Sequence, residues 1–424
     1  MNSFPYFSDV DTTLIKQSPI RDYLGVLPIW TSVARPLEPN LANAISNYRG
    51  ISAVLFIYYL DKNSKSEYVN KSNKFRLFFQ YMEGLIEYFF AVNEEMKPCY
   101  GASQLTKEAE QVISIDSGVI TNGLYQFYRG SCRRSKLLSK DWKLDNGVES
   151  CIKSICDKHK SAIINLISFI ESEIKGKSNK LTPNDILKKD EAVFKLFKAV
   201  FNNGDLKEYL KEKLFLDENL HPYAKACLTV RNHNQKDNNM KTTSLDFLRQ
   251  VQQETNKSDP DWKYKSELKD IIVCEPFLQL IDDCFQLIRI SDDMNIEALA
   301  KEIDSEHRLS LMKEVSNQFL NLASKFESSR FDQLFALARL LREGKITIFL
   351  RELISYHQQI MKGRGGDPLI IIEGQIIRSP FDVFNRDKVE LLKNISNKSA
   401  SNNNYYIYTT ANIYGQLTES ENAK

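Results

Sequence analysis

Apolar residues recur at intervals of three and four through much of the chain, the spacing that lays a stripe along one side of a helix. Phe75, Phe78, Phe79, Met82, Ile86, Phe89 and Phe90 predict a helix over about 72–94 with a broad aromatic face that must be buried. A second long stretch, about 148–175, carries Ile152, Ile155, Ile163, Leu166, Ile167 and Ile170 in the same rhythm. Thr182, Pro183 and Asp185 mark another helix start: a hydroxyl cap, a proline where a missing N–H costs nothing, and an acid near the positive end. Further helical patterns follow at about 263–290, 294–303, 305–325, 328–343 and 345–362.

After Gly363 the period shortens. The string PLIIIEGQIIRS predicts two short strands around Glu373-Gly374, and YYIYTT at 405–410 predicts a third after a Ser/Asn-rich spacer. Polar runs at 235–244 and 256–262 suggest a boundary, dividing the chain into an N-terminal helical domain, 1–240, and a C-terminal one, 241–424, that ends in a small hairpin or sheet. The expected class is mainly α, multi-helix and two-domain, with a small C-terminal β element.

Composition sharpens this picture only in part. The 424 residues are 42% hydrophobic and 11% aromatic, ample for a buried core and incompatible with wholesale disorder. With 57 Lys+Arg against 55 Asp+Glu, nothing draws the whole chain to nucleic acid or an anionic membrane, so any such binding must come from a local patch. Seven unclustered cysteines suggest reduced thiols. Without a long apolar run or a leader-like start, the chain reads as soluble and cytoplasmic, with no membrane partner.

The densest charge lies in RGSCRRSKLLSKDWK, 129–143, where Arg129, Arg133, Arg134, Lys136, Lys140 and Lys143 face only Asp141. Tyr125, Phe127 and Tyr128 precede it. Cations that neutralise phosphates beside rings that stack on unpaired bases are what a DNA or RNA surface needs. On this reading the arginines with Lys136 and Lys140 hold phosphates and Tyr128 stacks a base; the alternative is a helix whose rings enter the core and whose cations are solvated. Cys132, inside the run, lacks the paired histidine a nucleophile needs.

Other constellations are weaker. Cys151, Cys156 and His159 span about 500° and 300° of helical rotation and do not converge on a metal. Asp282-Asp283 and Asp292-Asp293 are explained by helix caps or solvated faces. In YHQQIMKGRGGDP, 356–368, glycines permit a tight turn and Arg364 is a possible phosphate contact, but the string follows a helix and fits no nucleotide-binding loop, so a helix end and turn is expected. No cofactor is implied.

The stretch DYLGVLPIWTSVARPLEPNLANAISNYRGISAVLFIYYL, 22–60, with LYQFYRGSCRRSKLLSK and GRGGDP, resembles uncharacterised helical proteins encoded in prokaryotic phage-defence and mobile-element loci. The resemblance covers at most about a quarter of the chain. It implies a component of a multi-protein defence or DNA-processing system, with other protein subunits as partners, and carries no catalytic residue set. The expected function is therefore a non-catalytic nucleic-acid-binding or adaptor subunit. The alternatives are a metal-dependent nuclease with a non-standard site, using His233, Asp261, Glu267 and Lys269, and a purely structural scaffold.

Overall fold

The computed structural model describes residues 22–41, 45–63, 72–93, 96, 99, 113–115, 123–176, 180–217, 219–236, 243–379, 386–397 and 407–418. The fold is mainly α. Its two sheets are minimal: Ile113–Ser114 pairs antiparallel with Lys180–Leu181, and Ile371–Glu373 with Ile376–Arg378. In the second, Gly374 turns the chain with φ 65, a conformation glycine adopts at no steric cost.

The expected boundary at 240/241 is not where the molecule divides. One compact unit combines the described part of Met1–Val33 with Lys269–Asn403, and the other combines Ala34–Leu268 with the described part of Asn404–Lys424. Neither is contiguous, because each terminal segment is held by partners distant in sequence, and a polar run between helices is no measure of which helices pack together.

In the unit built on Ala34–Leu268 the helix Tyr48–Asn63 is buried from Gly50 to Leu60 without a break, as a helix apolar all round must be. The expected aromatic helix, Ser72–Val92, runs beside it. Phe89 and Phe90 meet Phe197 and Phe201 of the helix Glu191–Phe201, with centroids 4.8–5.9 Å apart. The stretch 148–175 forms two helices, Asn146–Cys156 and Lys160–Lys175, and the bonds Lys158 N to Ile155 O and His159 N to Cys156 O turn the chain between them. Pro183 opens the helix Pro183–Leu187, although the Thr182 side chain makes no capping bond.

The third expected strand is overturned. Residues 405 and 406 lie outside the described residues, and Ile407–Thr418 is a helix. It packs on the helix His221–Lys236 through Tyr414 Oη to His221 Nδ1 (2.9 Å) and Arg231 Nη1 to Ala411 O (3.1 Å). Thr410 donates its hydroxyl to the buried carboxylate of Glu38. Ala411, Tyr414 and Leu417 are buried at intervals of three, so packing has overridden the strand preference of Tyr, Ile and Thr.

In the other unit, the helices Glu306–Leu320, Ser329–Arg342 and Ile346–Gly363 pack around Phe319 and Phe335, with Phe277 stacked on Phe319 at 4.2 Å. The His357 ring is fully buried; its Nε2 accepts from Leu369 N (3.0 Å), so Nδ1 carries the proton and donates to Tyr23 O (3.0 Å). That single imidazole ties the start of the described chain to the turn after Gly363. Trp30 Nε1 donates to buried Glu275 in the same unit.

All seven cysteines are free, six of them buried. No described helix is long and apolar enough to cross a membrane.

Candidate nucleic-acid interface

The basic segment is held by two short helices, Leu124–Phe127 and Arg129–Arg134, followed by a hydrogen-bonded loop. Leu124, Tyr128 and Cys132 recur every four residues and are all 0% exposed, which fixes the inward face and turns Arg129 and Arg133 outward. Leu138 and Leu144 form an antiparallel bridge, and Ser139 closes the loop between them, accepting from Trp142 N (3.1 Å) and Lys143 N (3.0 Å) and donating to Lys143 O (2.8 Å). Within this loop Lys136 and Trp142 both take φ of 61, a left-handed backbone that non-glycine residues adopt at a cost of about 1–3 kcal/mol.

The strained loop delivers Trp142 onto the arginines. The Arg129 guanidinium packs against two rings, with its carbon 3.9 Å from the centroid of Tyr125 and 4.1 Å from that of Trp142. Arg133 lies over Trp142 at 5.1 Å, and Arg76, from the helix Ser72–Val92, lies over Tyr125 at 4.6 Å. Tyr58 backs Trp142, nearly parallel at 6.0 Å. The result is an alternating ladder, Arg76, Tyr125, Arg129, Trp142, Arg133. Arg133, Lys136, Lys140 and Lys143 are exposed around it, and Arg129 is half-buried. Arg129, Arg133, Lys140 and Lys143 make no ion pair with a described carboxylate.

Two expected members leave the site. Tyr128 is 0% exposed, with its hydroxyl 3.3 Å from Ser46 N, and its ring lies so close over Gly50 that a Cβ there would fall 2.3 Å from Cε1. It is a core residue and has no free face for a base. Arg134 is exposed but engaged, donating to Pro39 O (3.0 Å), Leu41 O (3.3 Å) and Ser131 Oγ (2.8 Å). Its charge anchors the 37–41 turn.

Arg364 also has an internal partner, for it pairs with Asp22 Oδ2 at 3.2 Å and donates to the Asp22 carbonyl. The glycine-rich string around it ends a helix: Gly365, with φ 72, and Gly366 return their N–H groups to Lys362 O and Met361 O. Cys132, despite its cationic neighbours, has its thiol pKa pushed up because burial outweighs them, so it stays protonated.

Behind the ladder lies a pair that pattern reading passed over. Glu83 and Glu87, one helical turn apart, are both 0% exposed. Each places its Oε1 2.3 Å from where a Cβ on Gly123 would stand, so the two carboxyl groups meet at that glycine. Tyr125 N donates to Glu83 Oε1 at 3.3 Å, while among the described residues Glu83 Oε2 and both oxygens of Glu87 have no hydrogen-bond partner within ordinary reach. Burial lifts the Glu83 pKa to about 8, and burial together with Glu83 lifts that of Glu87 well above its ordinary value. Burial therefore favours the protonated, uncharged form of this pair, which lessens what it takes from the positive field of the patch.

Elsewhere, Asp283 is buried and Asp282 half-buried, against the expected solvated face, and burial raises both carboxyl pKa values, Asp283 to about 7. Asp292 and Asp293 hold the hairpin, through Ser379 N (2.8 Å) and Arg378 respectively. Among the described residues no three His, Cys, Asp or Glu side chains are placed to share a metal ion: His233, Asp261 and Glu267, named for the alternative nuclease reading, are not brought together as a metal site, and Cys151, Cys156 and His159 form no cluster.

Arg129 follows Tyr125 by four residues and Arg133 follows Arg129 by four, so part of the ladder was open to view in the sequence. Arg76 comes from a distant helix, and Trp142 arrives only through the left-handed loop; neither left a local signal. No family model, curated protein or solved structure matches this chain.

Proposed function

We propose that the protein is a non-catalytic nucleic-acid-binding subunit that holds DNA or RNA through Arg129, Arg133, Lys136 and Lys140, with Lys143 and Arg76 at the margins. The reading rests chiefly on one observation: Arg129 and Arg133, which pair with no described carboxylate, are fixed on aromatic rings beside exposed lysines of the same segment. An anionic partner neutralises such a surplus and releases its own counterions, which is where affinity for a polyphosphate originates. By its likeness to helical proteins of phage-defence and mobile-element loci, the chain works as an adaptor within a cytoplasmic multi-protein system.

The test is fluorescence anisotropy with labelled single- and double-stranded DNA and RNA from about 50 to 200 mM salt, with and without Mg²⁺. The expected result is binding without cleavage that weakens steeply with salt. Arg133→Glu with Lys140→Glu, two residues that make no described hydrogen bond or ion pair, abolishes binding at the upper salt while moving the melting temperature by only a few degrees, through loss of the Arg133 contact with Trp142. Arg134 is unsuited to the test because its reversal breaks three internal bonds. Wild-type affinity in the double variant removes the site.

A further inference from the structure

We infer that this interface takes the phosphodiester backbone alone and is indifferent to the bases. The inference rests on the nucleic-acid reading above and specifies which part of the polymer is recognised.

Binding of unpaired strands ordinarily uses exposed ring faces on which bases stack. Here the rings are already engaged. Tyr125 carries Arg76 at 4.6 Å and Arg129 at 3.9 Å, with Phe79 edge-on at 5.0 Å. Trp142 carries Arg129 at 4.1 Å and Arg133 at 5.1 Å, and lies nearly parallel to Tyr58. Tyr128 is wholly buried. A base reaching any of these rings must first displace a guanidinium and lose its cation–π contact, about 0.5–2 kcal/mol at each place.

With rings 3.9 and 4.1 Å from its carbon, the Arg129 guanidinium has its faces covered, and a ligand meets it through its N–H edge. A guanidinium with its plane held by rings keeps its N–H fork along that edge, and the fork matches two oxygens of a phosphate. Holding the plane fixed in the free protein removes rotamer entropy that binding would otherwise cost. The aromatic residues therefore orient the arginines, and Lys140 and Lys143 on the adjoining loop add point charges without directional demand. The rings of Tyr125, Tyr128 and Trp142 thus offer a base no open face, and the affinity is carried by the cations, whatever the base and whether or not one is present.

The experiment compares an oligothymidylate with an abasic strand of equal length and phosphate count, built of tetrahydrofuran residues, on the full-length protein. Equal affinities, within about threefold, are expected. A base stacked on a ring contributes roughly five- to hundredfold, so an abasic strand weaker by tenfold or more overturns the inference while leaving nucleic-acid binding intact. Binding of neither strand overturns both readings.

Trp142→Leu is expected to weaken the two strands by the same factor, through loss of the surface that orients Arg129 and Arg133; loss confined to the thymidylate would make Trp142 a stacking platform. Phosphatidylglycerol vesicles present the same phosphodiester chemistry on a lipid surface. Displacement of the abasic strand by such vesicles at equal phosphate concentration overturns the assignment to a nucleic-acid backbone.

Discussion

Glu83, Glu87 and Glu38 are carboxyl groups kept in apolar surroundings, and each has its pKa raised by burial. For Glu83 and Glu38 the folded-state value is about 8 against an ordinary 4.5. Between those values the native chain holds protons that the unfolded chain has released, so folding stability falls as pH rises from about 4.5 and levels off beyond about 8. The slope is up to about 1.4 kcal/mol per pH unit for each group. Glu83→Gln removes one such group and keeps an acceptor for Tyr125 N. Its stability relative to wild type, from denaturant midpoints, is expected to improve steadily between about pH 5 and 8; a difference independent of pH would show that Glu83 is ionised throughout. The two acids were visible as anomalies inside FFQYMEGLIEYFF, on or beside the aromatic face. What receives them, Gly123 and the Tyr125 N–H, lies some forty residues onward, and no periodicity reports such a meeting.

At the scale of elements, the patch depends on how the helices 124–127 and 129–134 seat against the buried helix Tyr48–Asn63. The contact is tightest at Gly50, where the Tyr128 ring lies on the backbone. Gly50→Ala forces that ring away from a position its hydroxyl bond to Ser46 helps fix, an overpacking expected to cost about 1–3 kcal/mol in chemical denaturation. A smaller cost would mean that the two helices shift freely.

Element type was readable wherever the apolar rhythm was long, as in Ser72–Val92 and the succession from Lys265 to Gly363. It failed where a short window of β-formers stood alone. YYIYTT ends just before ANIYGQL, whose Ala411, Tyr414 and Leu417 spacing belongs to a helix, and the longer window contains the answer. The basic segment shows the reverse limit: its charge was plain, but exposure decided which residues count, and exposure is set by Ser46, Gly50 and Pro39, far off in sequence.

On the scale of the whole molecule, both compact units are completed by segments from the far ends of the chain. The helix Ile407–Thr418 supplies buried Ala411, Ile413, Tyr414 and Leu417, along with the hydroxyl that meets Glu38. A chain ending at Asn403 is expected to lower the melting temperature of the unit containing Ala34–Leu268 by more than about 5 °C, since each lost kcal/mol moves a unit of this size by roughly 2–4 °C. Scanning calorimetry checks this, and an unchanged transition would make the helix dispensable. Such closure was not legible beforehand, because nothing local in either terminus names its partner.

The pairing of Glu38 with Thr410 spans 372 positions. At about 5–20 residues made per second, the ribosome delivers the second partner some 20 to 75 s after the first. Until then the apolar surface of the helix His221–Lys236 that the last helix covers stands open, and the other unit likewise waits for His357 to claim Tyr23. Each unit thus stays incomplete while the stretch between its partners is being made, and whatever shields the nascent chain during that interval bears on how much of it folds.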